Sequence, residues 1–223
     1  MFTSRRRIAI ILASLVAVLV PAFGAATASA GLLTGLLGGN NILSPLLYTV
    51  DDLVDNLLTG HTALSASNCP EPVVSNPFAA YGDTRDYFLV DGGDFNSASN
   101  GWAYVGSGVD GGVAKLPGAN TGIGSTKVCV GLDDPTLRFR YSSKGSAPKM
   151  RIDALFQGTS GEYRTDYITT LTGQQAMGPS PIIKIGTNTR AAAGEKTAIA
   201  LIFTVSSGSW TVDDVYVDPF RSR

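Results

Sequence analysis

Two segments decide the fold of this chain: residues 91–102, with the sequence DGGDFNSASNGW, and residues 210–217, with the sequence WTVDDVYV. The first is rich in Gly, Asn, Asp and Ser, which favour turns, and it ends in an aromatic residue. The second alternates apolar and polar residues on either side of paired aspartates, which is typical of a half-buried strand. Both segments therefore predict β structure, although they lie far apart in the sequence.

Short alternating runs separated by Gly, Asn, Asp, Ser and Pro continue from Cys69 to the C-terminus, at intervals of about 8 to 15 residues. This pattern predicts an all-β sandwich with a single core. In residues 137–141, LRFRY, alternation places the apolar residues on a core face and both arginines on a wet face. The Gly-rich residues 106–112 and 118–124 are interpreted as hairpin loops. We predict strands near residues 87–90, 101–105, 112–116, 126–130, 137–141, 150–156, 163–168, 182–185, 198–205 and 210–217.

Residues 93–95 (GDF), 101–102 (GW) and 213–215 (DDV) carry a resemblance to a known family. With them, residues 81–219 resemble the jelly-roll, galactose-binding-like superfamily, which includes many carbohydrate-binding modules. The resemblance implies a jelly-roll β-sandwich whose first and last strands lie side by side. The chain from Cys69 onward also resembles a group of uncharacterised secreted bacterial proteins, which implies no activity.

The same resemblance implies a structural calcium ion held by acidic residues of both terminal strands. The candidate ligands are Asp94, Asn96 and Asp213. Calcium takes six to eight oxygen ligands, so backbone carbonyls would have to complete the site. Asn96 stands where the family often has Glu, which removes one negative charge. The alternative is that these residues only form turn and cap hydrogen bonds.

The N-terminus predicts export. Arg5, Arg6 and Arg7 precede an apolar run that ends before Pro21, and residues 28–30 (ASA) have the small residues of a signal-peptidase site. The run is shorter than the ~20 residues that a transmembrane helix needs. We predict a signal peptide at residues 1–30 and a secreted protein, extracellular or at the cell surface, with no membrane attachment after cleavage.

The charge of the mature chain bears on nucleic acid and membrane surfaces as partners. Removal of the three arginines leaves 14 Lys and Arg against 18 Asp and Glu. Without a cluster of basic residues, nothing in the chain would neutralise a phosphate backbone. We therefore expect neither nucleic acid nor an anionic membrane as a partner.

The two cysteines, Cys69 and Cys129, are predicted to form a disulfide, since an even pair in an exported chain is typical of one. A zinc site made from these cysteines and His61 is the alternative, but no second Cys or His stands at zinc spacing.

Residues 31–68 differ from the rest of the chain in composition and form a predicted Leu- and Gly-rich segment and linker before the sandwich domain, residues 69–221. Ser44 and Pro45 are suited to start a helix, and Gly60 to end it. Its apolar residues recur at helical spacing, and its other face carries Asp51, Asp52 and Asp55. This short amphipathic helix either packs on the sandwich or supports self-association through residues 44–59.

Aromatic rings beside polar side chains suit the binding of sugars. Tyr163 and Tyr167 are four residues apart, so strand alternation places both rings on one side of a sheet, and with Arg151 and Asp153 they are the candidate ligand-binding residues. Other rings in the domain, Trp102 and Trp210 above all, have an alternative role in the core. Arg138, Arg140, Arg151 and Asp153 are alternatively a cross-strand charge ladder on a solvated face.

Catalysis finds little support in the sequence. His61 is the only histidine, and neither a Gly-x-Ser-x-Gly nor a His-Glu-x-x-His motif is present. We therefore expect a non-catalytic, secreted carbohydrate-binding protein that recognises a polysaccharide or a cell-surface glycan. The alternatives are a structural or interaction protein of the cell envelope or spore surface and, with less support, a polysaccharide-active enzyme that uses Tyr163 and Arg164.

Overall fold

The structure is a computed structural model that describes residues 49–56, 69–131, 135–157, 162–185 and 197–218, all within one compact unit of residues 41–223. Helix α1 covers residues 49–56 and is followed by a 3-10 helix at Ala79–Tyr81. The described strands are β1 (Phe88–Leu89), β2 (Ala103–Val105), β3 (Gly108–Asp110), β4 (Val113–Leu116), β5 (Thr121–Gly124), β6 (Val128–Val130), β7 (Thr136–Gln157), β8 (Tyr163–Thr172), β9 (Gln175–Pro179), β10 (Ile183–Lys184) and β11 (Thr197–Asp218).

Strands β7 and β11 pair antiparallel along almost their whole length and contribute to both layers of a β-sandwich. Layer A holds residues 149–157 of β7 and 197–205 of β11, together with β2, β5, β6 and β8. Layer B holds residues 136–144 of β7 and 209–218 of β11, together with β1, β3, β4, β9 and β10. The predicted jelly-roll β-sandwich is confirmed, although each of these long strands was predicted as two separate ones.

The core lies between the two layers. Phe203 of layer A packs edge-to-face on Phe139 of layer B, with ring centroids 5.3 Å apart. Register shifts between Val205 and Ser209 move the inward-facing positions of β11 by one residue, so that Val205 and Trp210 both face the core. One continuous strand thereby supplies core residues to both layers.

The first and last strands are neighbours, as the resemblance implied. In β1, Phe88 is paired with Val217 of β11. The pairing continues into the turn that follows, where Val90 N donates to Val215 O at 2.9 Å and Val215 N donates to Gly93 O at 3.0 Å. The hydrogen bond between Val215 and Gly93 thus joins the two segments that decide the fold.

Helix α1 packs on the outer face of layer A. Leu53 is fully buried, and with Val50 and Val54 it forms a cluster on Ala200 and Ile202 of β11. The predicted helix is therefore present at residues 49–56, while the predicted signal peptide, Ser44, Pro45, Gly60 and His61 lie outside the described residues. In the part of the chain that the structure describes, no helix is long and apolar enough to cross a membrane.

The predicted disulfide is confirmed: Cys69 is bonded to Cys129, with their Cα atoms 5.6 Å apart. Cys129 is the middle residue of β6, which pairs with β11. The crosslink therefore attaches the start of the domain to a strand of layer A.

The interpretation of both Gly-rich segments as loops was wrong in part. Residues 108–110 form β3 and residues 121–124 form β5. All four residues of β5 are buried, and Gly122 and Gly124 pair with Thr204 and Ile202 of β11. Glycine suits this strand because α1 lies directly on it, a tertiary contact that strand propensity does not reveal.

The wet face predicted for both arginines of residues 137–141 was wrong for Arg138, because residues 75–87 cover that part of layer B. The Arg138 guanidinium forms an ion pair with Asp83 and donates from Nε to Ser180 O at 3.1 Å. It also lies 4.7 Å from the ring centroid of Phe78. Tyr87 completes the network by donating its hydroxyl to Asp83 at 2.8 Å.

Candidate functional site

The candidate site is on the outer face of layer A, where Arg151 and Asp153 of β7 lie beside Tyr167 of β8. Residues 151 and 153 are two apart on one strand, so their side chains point to the same face. Arg151 donates from Nε to both carboxylate oxygens of Asp153, at 2.9 and 2.8 Å, and from Nη2 to Oδ1 at 2.6 Å. The pair is therefore held together by charge-assisted hydrogen bonds.

Burial and pairing act in opposite directions on these charges. The Asp153 side chain is only 1% exposed, and burial raises the pKa of its carboxyl even though Arg151 lowers it. The hydrogen bonds from Arg151 to Asp153 raise the pKa of the guanidinium, so that group stays charged. The result is a buried carboxylate beneath a half-exposed cation, with the positive group nearer to solvent.

Tyr167 supplies an open aromatic ring next to this cation. Its side chain is 58% exposed, and the Arg151 guanidinium carbon is 5.2 Å from the ring centroid. A register shift opposite Ile152 and Asp153 makes Ile168 an extra residue in β8. Thr170 consequently lies on the same face as Tyr167 and accepts a hydrogen bond from the tyrosine hydroxyl at 3.2 Å.

Tyr163 lies on the same face but does not extend the open surface. Tyr163 is paired with Gln157 of β7, and Tyr167 is paired with Asp153, four positions earlier on the same strand. Residues an even number apart on a strand face the same side, so the prediction that both rings lie on one side of the sheet is correct. However, Tyr163 packs against the cluster formed by α1, Leu155 and Ala200. Of the four candidate residues, the structure thus brings Arg151, Asp153 and Tyr167 together and places Tyr163 at the edge of the helix.

The alternative of a single charge ladder was wrong. Arg138 and Arg140 belong to layer B, whereas Arg151 and Asp153 belong to layer A. Arg140 pairs with Asp214 at 3.3 Å, and Arg138 is buried. Trp102 and Trp210 are core rings, as the alternative interpretation held: Trp102 packs on Phe95, and Trp210 stacks on Tyr141.

The three candidate calcium ligands lie where the turn after β1 meets β11. Asp94 accepts a hydrogen bond from the side-chain amide of Asn96 at 2.8 Å. Asp213 Oδ1 accepts one from Asp214 N at 2.9 Å. Both contacts are the turn hydrogen bonds of the alternative interpretation, and they occupy part of each carboxylate.

The carboxyl group of Asp213 has a raised pKa. Burial, followed by repulsion from Asp214, raises its pKa to about 6, and Asp94 adds a further unfavourable charge. The neighbouring Arg140 lowers the pKa without cancelling the effect. A cation near the Asp94 and Asp213 carboxylates would offset part of this unfavourable charge.

The donor set is nevertheless small. The described residues contain no group of three Asp, Glu, His or Cys side chains arranged to hold a metal. A calcium ion here would therefore depend on two carboxylates, the Asn96 amide oxygen and backbone carbonyls. This is a weaker set than one in which a bidentate Glu takes the place of Asn96.

Comparison with known proteins gives matches among solved structures alone: no protein-family model and no curated protein matches the chain. One match is the Clostridium thermocellum endo-1,4-beta-D-xylanase 10B, in its CBM22-1 and GH10 modules complexed with xylohexaose, at 15% identity and a TM-score of 0.40. It covers 56% of this chain and 27% of the xylanase chain.

Two further matches are single carbohydrate-binding modules. A xylan-binding domain of family 22 has 14% identity and a TM-score of 0.42 over 61% of this chain and 97% of its own. A family 11 module from Clostridium thermocellum, in complex with a beta-1,3-1,4-mixed-linked tetrasaccharide, has 14% identity and a TM-score of 0.39 over 61% of this chain and 98% of its own.

Proposed function

We propose that this protein is a secreted, non-catalytic carbohydrate-binding protein whose ligand contacts Tyr167, Arg151 and Asp153. One observation carries the proposal: an exposed tyrosine ring is held beside a guanidinium that is itself fixed by a buried carboxylate. Because the Tyr167 ring is exposed, packing in the core does not explain its position. A solvent-facing ring braced in this way is suited to a ligand.

The chemistry of the surface fits a sugar. The flat ring of Tyr167 offers an apolar face to the C–H groups of a pyranose, and its hydroxyl and Thr170 offer hydrogen bonds. The guanidinium N–H groups that do not contact Asp153 could donate hydrogen bonds to sugar hydroxyls. Because the salt bridge already fixes Arg151, little side-chain entropy would be lost on binding.

The surroundings favour a chain-like ligand. Among the described strands, β8 pairs with β7 alone, so the Tyr167 surface opens at the edge of layer A. On the other side, α1 and its contact with Tyr163 bound the surface. A polysaccharide or a cell-surface glycan could lie over the open edge with one or a few sugar residues on Tyr167.

The test is binding of residues 31–223, the proposed mature chain, to glycan arrays and insoluble polysaccharides. We expect Tyr167→Ala to abolish binding and Tyr167→Phe to keep the stacking part of it. Tyr81→Ala is the matched control, because Tyr81 is 52% exposed and belongs to the 3-10 helix outside this surface. Binding that survives Tyr167→Ala, with Tyr81→Ala indistinguishable from it, would overturn the proposal.

The proposed alternative is a structural or interaction protein that assembles through residues 44–59. The part of this segment within the described residues buries Val50, Leu53 and Val54 against the protein's own sheet, which favours the sugar-binding proposal. The alternative predicts self-association that disappears when residues 31–60 are removed. That result, combined with no binding to any glycan, would replace the proposed function.

We include calcium in the proposal as a structural ion at Asp94, Asn96 and Asp213. Its support is that Val215 N donates to Gly93 O at 3.0 Å, which brings the segments of Asp94 and Asp213 together. A cation there would also offset the charges of Asp214 and Asp94 that, after burial, raise the pKa of Asp213. The ion would reinforce the junction between the turn after β1 and the last strand, on the layer opposite Tyr167, and would contact no ligand there.

A further inference from the structure

A groove of about 500 Å³ crosses the outer face of layer B, on the side of the sandwich opposite Tyr167. Its floor is a row of side chains on three neighbouring strands: Ser142 of β7 is paired with Thr211 of β11, which is paired with Lys115 of β4. Lys144 and Ser209, paired with each other, form the next row, and Met177 of β9 lines one end.

The outward direction of this row follows from the strand register. After the register shifts near residue 207, Trp210 and Val212 of β11 face the core. The side chains of Ser209 and Thr211 therefore face outward, because successive residues of a strand alternate between its faces. The strands of the sandwich form most of the groove, and Gly111 and Pro117, in the connections on either side of β4, complete its lining.

The charge in the groove is positive and uncompensated. Lys115 and Lys144 are both exposed, and among the described residues neither ammonium lies within ion-pair distance of a carboxylate. The lining includes the hydroxyls of Ser142, Ser209 and Thr211 but no carboxylate. This is the reverse of the chain as a whole, in which acidic residues outnumber basic ones.

We propose that this groove binds an anionic polysaccharide, one that carries carboxylate or sulfate groups along the chain. Two ammonium groups on flexible stems act as point charges and accept either kind of anion. Three hydroxyls supply hydrogen bonds to sugar hydroxyls, and Met177 supplies an apolar contact to a ring. The site is independent of the Tyr167 surface, so the protein would hold two glycans on opposite faces.

A polyphosphate fits the groove less well than an acidic glycan does. Two lysines neutralise few phosphates, and the net negative charge of the chain opposes a densely charged nucleic acid at longer range. An acidic polysaccharide carries at most one or a few charges per sugar, with hydroxyls between them. The lining of the groove also has ammonium groups with hydroxyl groups between them, so it matches this arrangement of charges and hydroxyls along an acidic polysaccharide.

The test is affinity electrophoresis of the full chain through gels that contain polygalacturonate, dextran sulfate or uncharged dextran. We expect retardation by polygalacturonate, by dextran sulfate or by both, and none by dextran; the first two gels distinguish a carboxylate ligand from a sulfate one. Replacing Lys115 and Lys144 together by Gln should weaken the binding about tenfold or more, because two charge-assisted contacts are lost.

Lys149→Gln with Lys184→Gln is the matched control, since both lysines are exposed, lie outside the groove and give the same change in net charge. We expect this control to leave retardation unchanged. An equal loss in the control pair, no retardation of the wild-type chain, or equal retardation in gels containing polyuridylate would each overturn the proposal. Thermal unfolding of each variant shows that the fold is intact, and failure here would leave the Tyr167 proposal untouched.

Discussion

Gly122 of β5 lies directly beneath Leu53 of helix α1: a Cβ atom at position 122 would come within 2.6 Å of Leu53 Cδ1 and 2.9 Å of Phe203 O. The helix therefore rests on bare backbone at this point. Helix α1 can pack on the sheet at this point because Gly122 has no side chain. This contact determines which part of layer A remains uncovered around Tyr167.

Replacing Gly122 by Ala should consequently destabilise the protein. The added methyl group would collide with Leu53 and with the carbonyl of Phe203, and the overpacking should cost about 1 to 3 kcal/mol of the free energy of unfolding. Gly118→Ala is the control, because a Cβ there meets no atom within 4 Å. Urea unfolding measures both, and equal stabilities of the two variants would contradict the docking of α1 on β5.

The Arg138–Asp83 pair should be far more sensitive to mutation than an exposed pair. Its side chains are only 10% and 7% exposed, and removal of Arg138 would leave a buried carboxylate without its cation. Arg138→Ala should cost about 3 to 5 kcal/mol, and Arg164→Ala, which breaks the more exposed pair with Glu162, less than about 1 kcal/mol. A similar loss of stability in both variants would show that the network around Asp83 does not hold residues 75–87 on layer B.

Asp213 should make the protein less stable as the pH rises. Its pKa of about 6 in the folded protein lies above the ordinary 3.8, so the folded state holds this proton more tightly than the unfolded state does. Its contribution to stability is fully present below pH 3.8 and is lost as the pH rises through about 6. In chelator, Asp213→Asn should therefore gain stability over the wild type more at pH 7.5 than at pH 4.5.

The control for this pH effect is Asp110→Asn, which replaces an exposed carboxylate of β3. Its difference from the wild type at the two pH values gives the effect of removing a carboxylate that is not buried. Urea unfolding at each pH gives both differences, and a gap for Asp213→Asn that does not change with pH would contradict the origin of the raised pKa.

Calcium should raise the thermal unfolding temperature of the wild-type chain at pH 7.5, since an ion that binds only the folded state stabilises it by mass action. The shift should disappear in Asp213→Asn and in Asp94→Asn, because each removes one of two carboxylates that the ion needs. Differential scanning calorimetry with calcium and with chelator measures it. A calcium shift of the same size in both variants would place any bound ion elsewhere.

Much of the fold follows from local patterns. Alternation and turn residues predicted most strands, and an even pair of cysteines predicted the disulfide that the structure contains. The local patterns did not predict the features of the fold that depend on long-range contacts. Nothing in the local sequence indicates that residues 75–87 cover Arg138, or that the Gly-rich residues 121–124 are a strand beneath a helix.

The candidate site divides in the same way. Alternation alone was enough to place Arg151 beside Asp153 and to put Tyr163 and Tyr167 on one face. It could not show that α1 reaches Tyr163 and leaves Tyr167 open, and it did not indicate the groove at Lys115 and Lys144. Those two lysines are 29 positions apart in the sequence, and only the pairing of β4 and β7 with β11 brings them to one groove.

The sequence by itself determined the all-β class, because strand period and turn chemistry act through near neighbours, and it determined the crosslink, because the chain has one even pair of cysteines. The contact of the first strand with the last was implied by the family resemblance and not by these local patterns. Only the tertiary structure decided which polar groups are buried, which ring is open and where the lysines converge. Burial and charge environment depend on segments distant in sequence, and the register shifts of β11 decide which face each later residue takes.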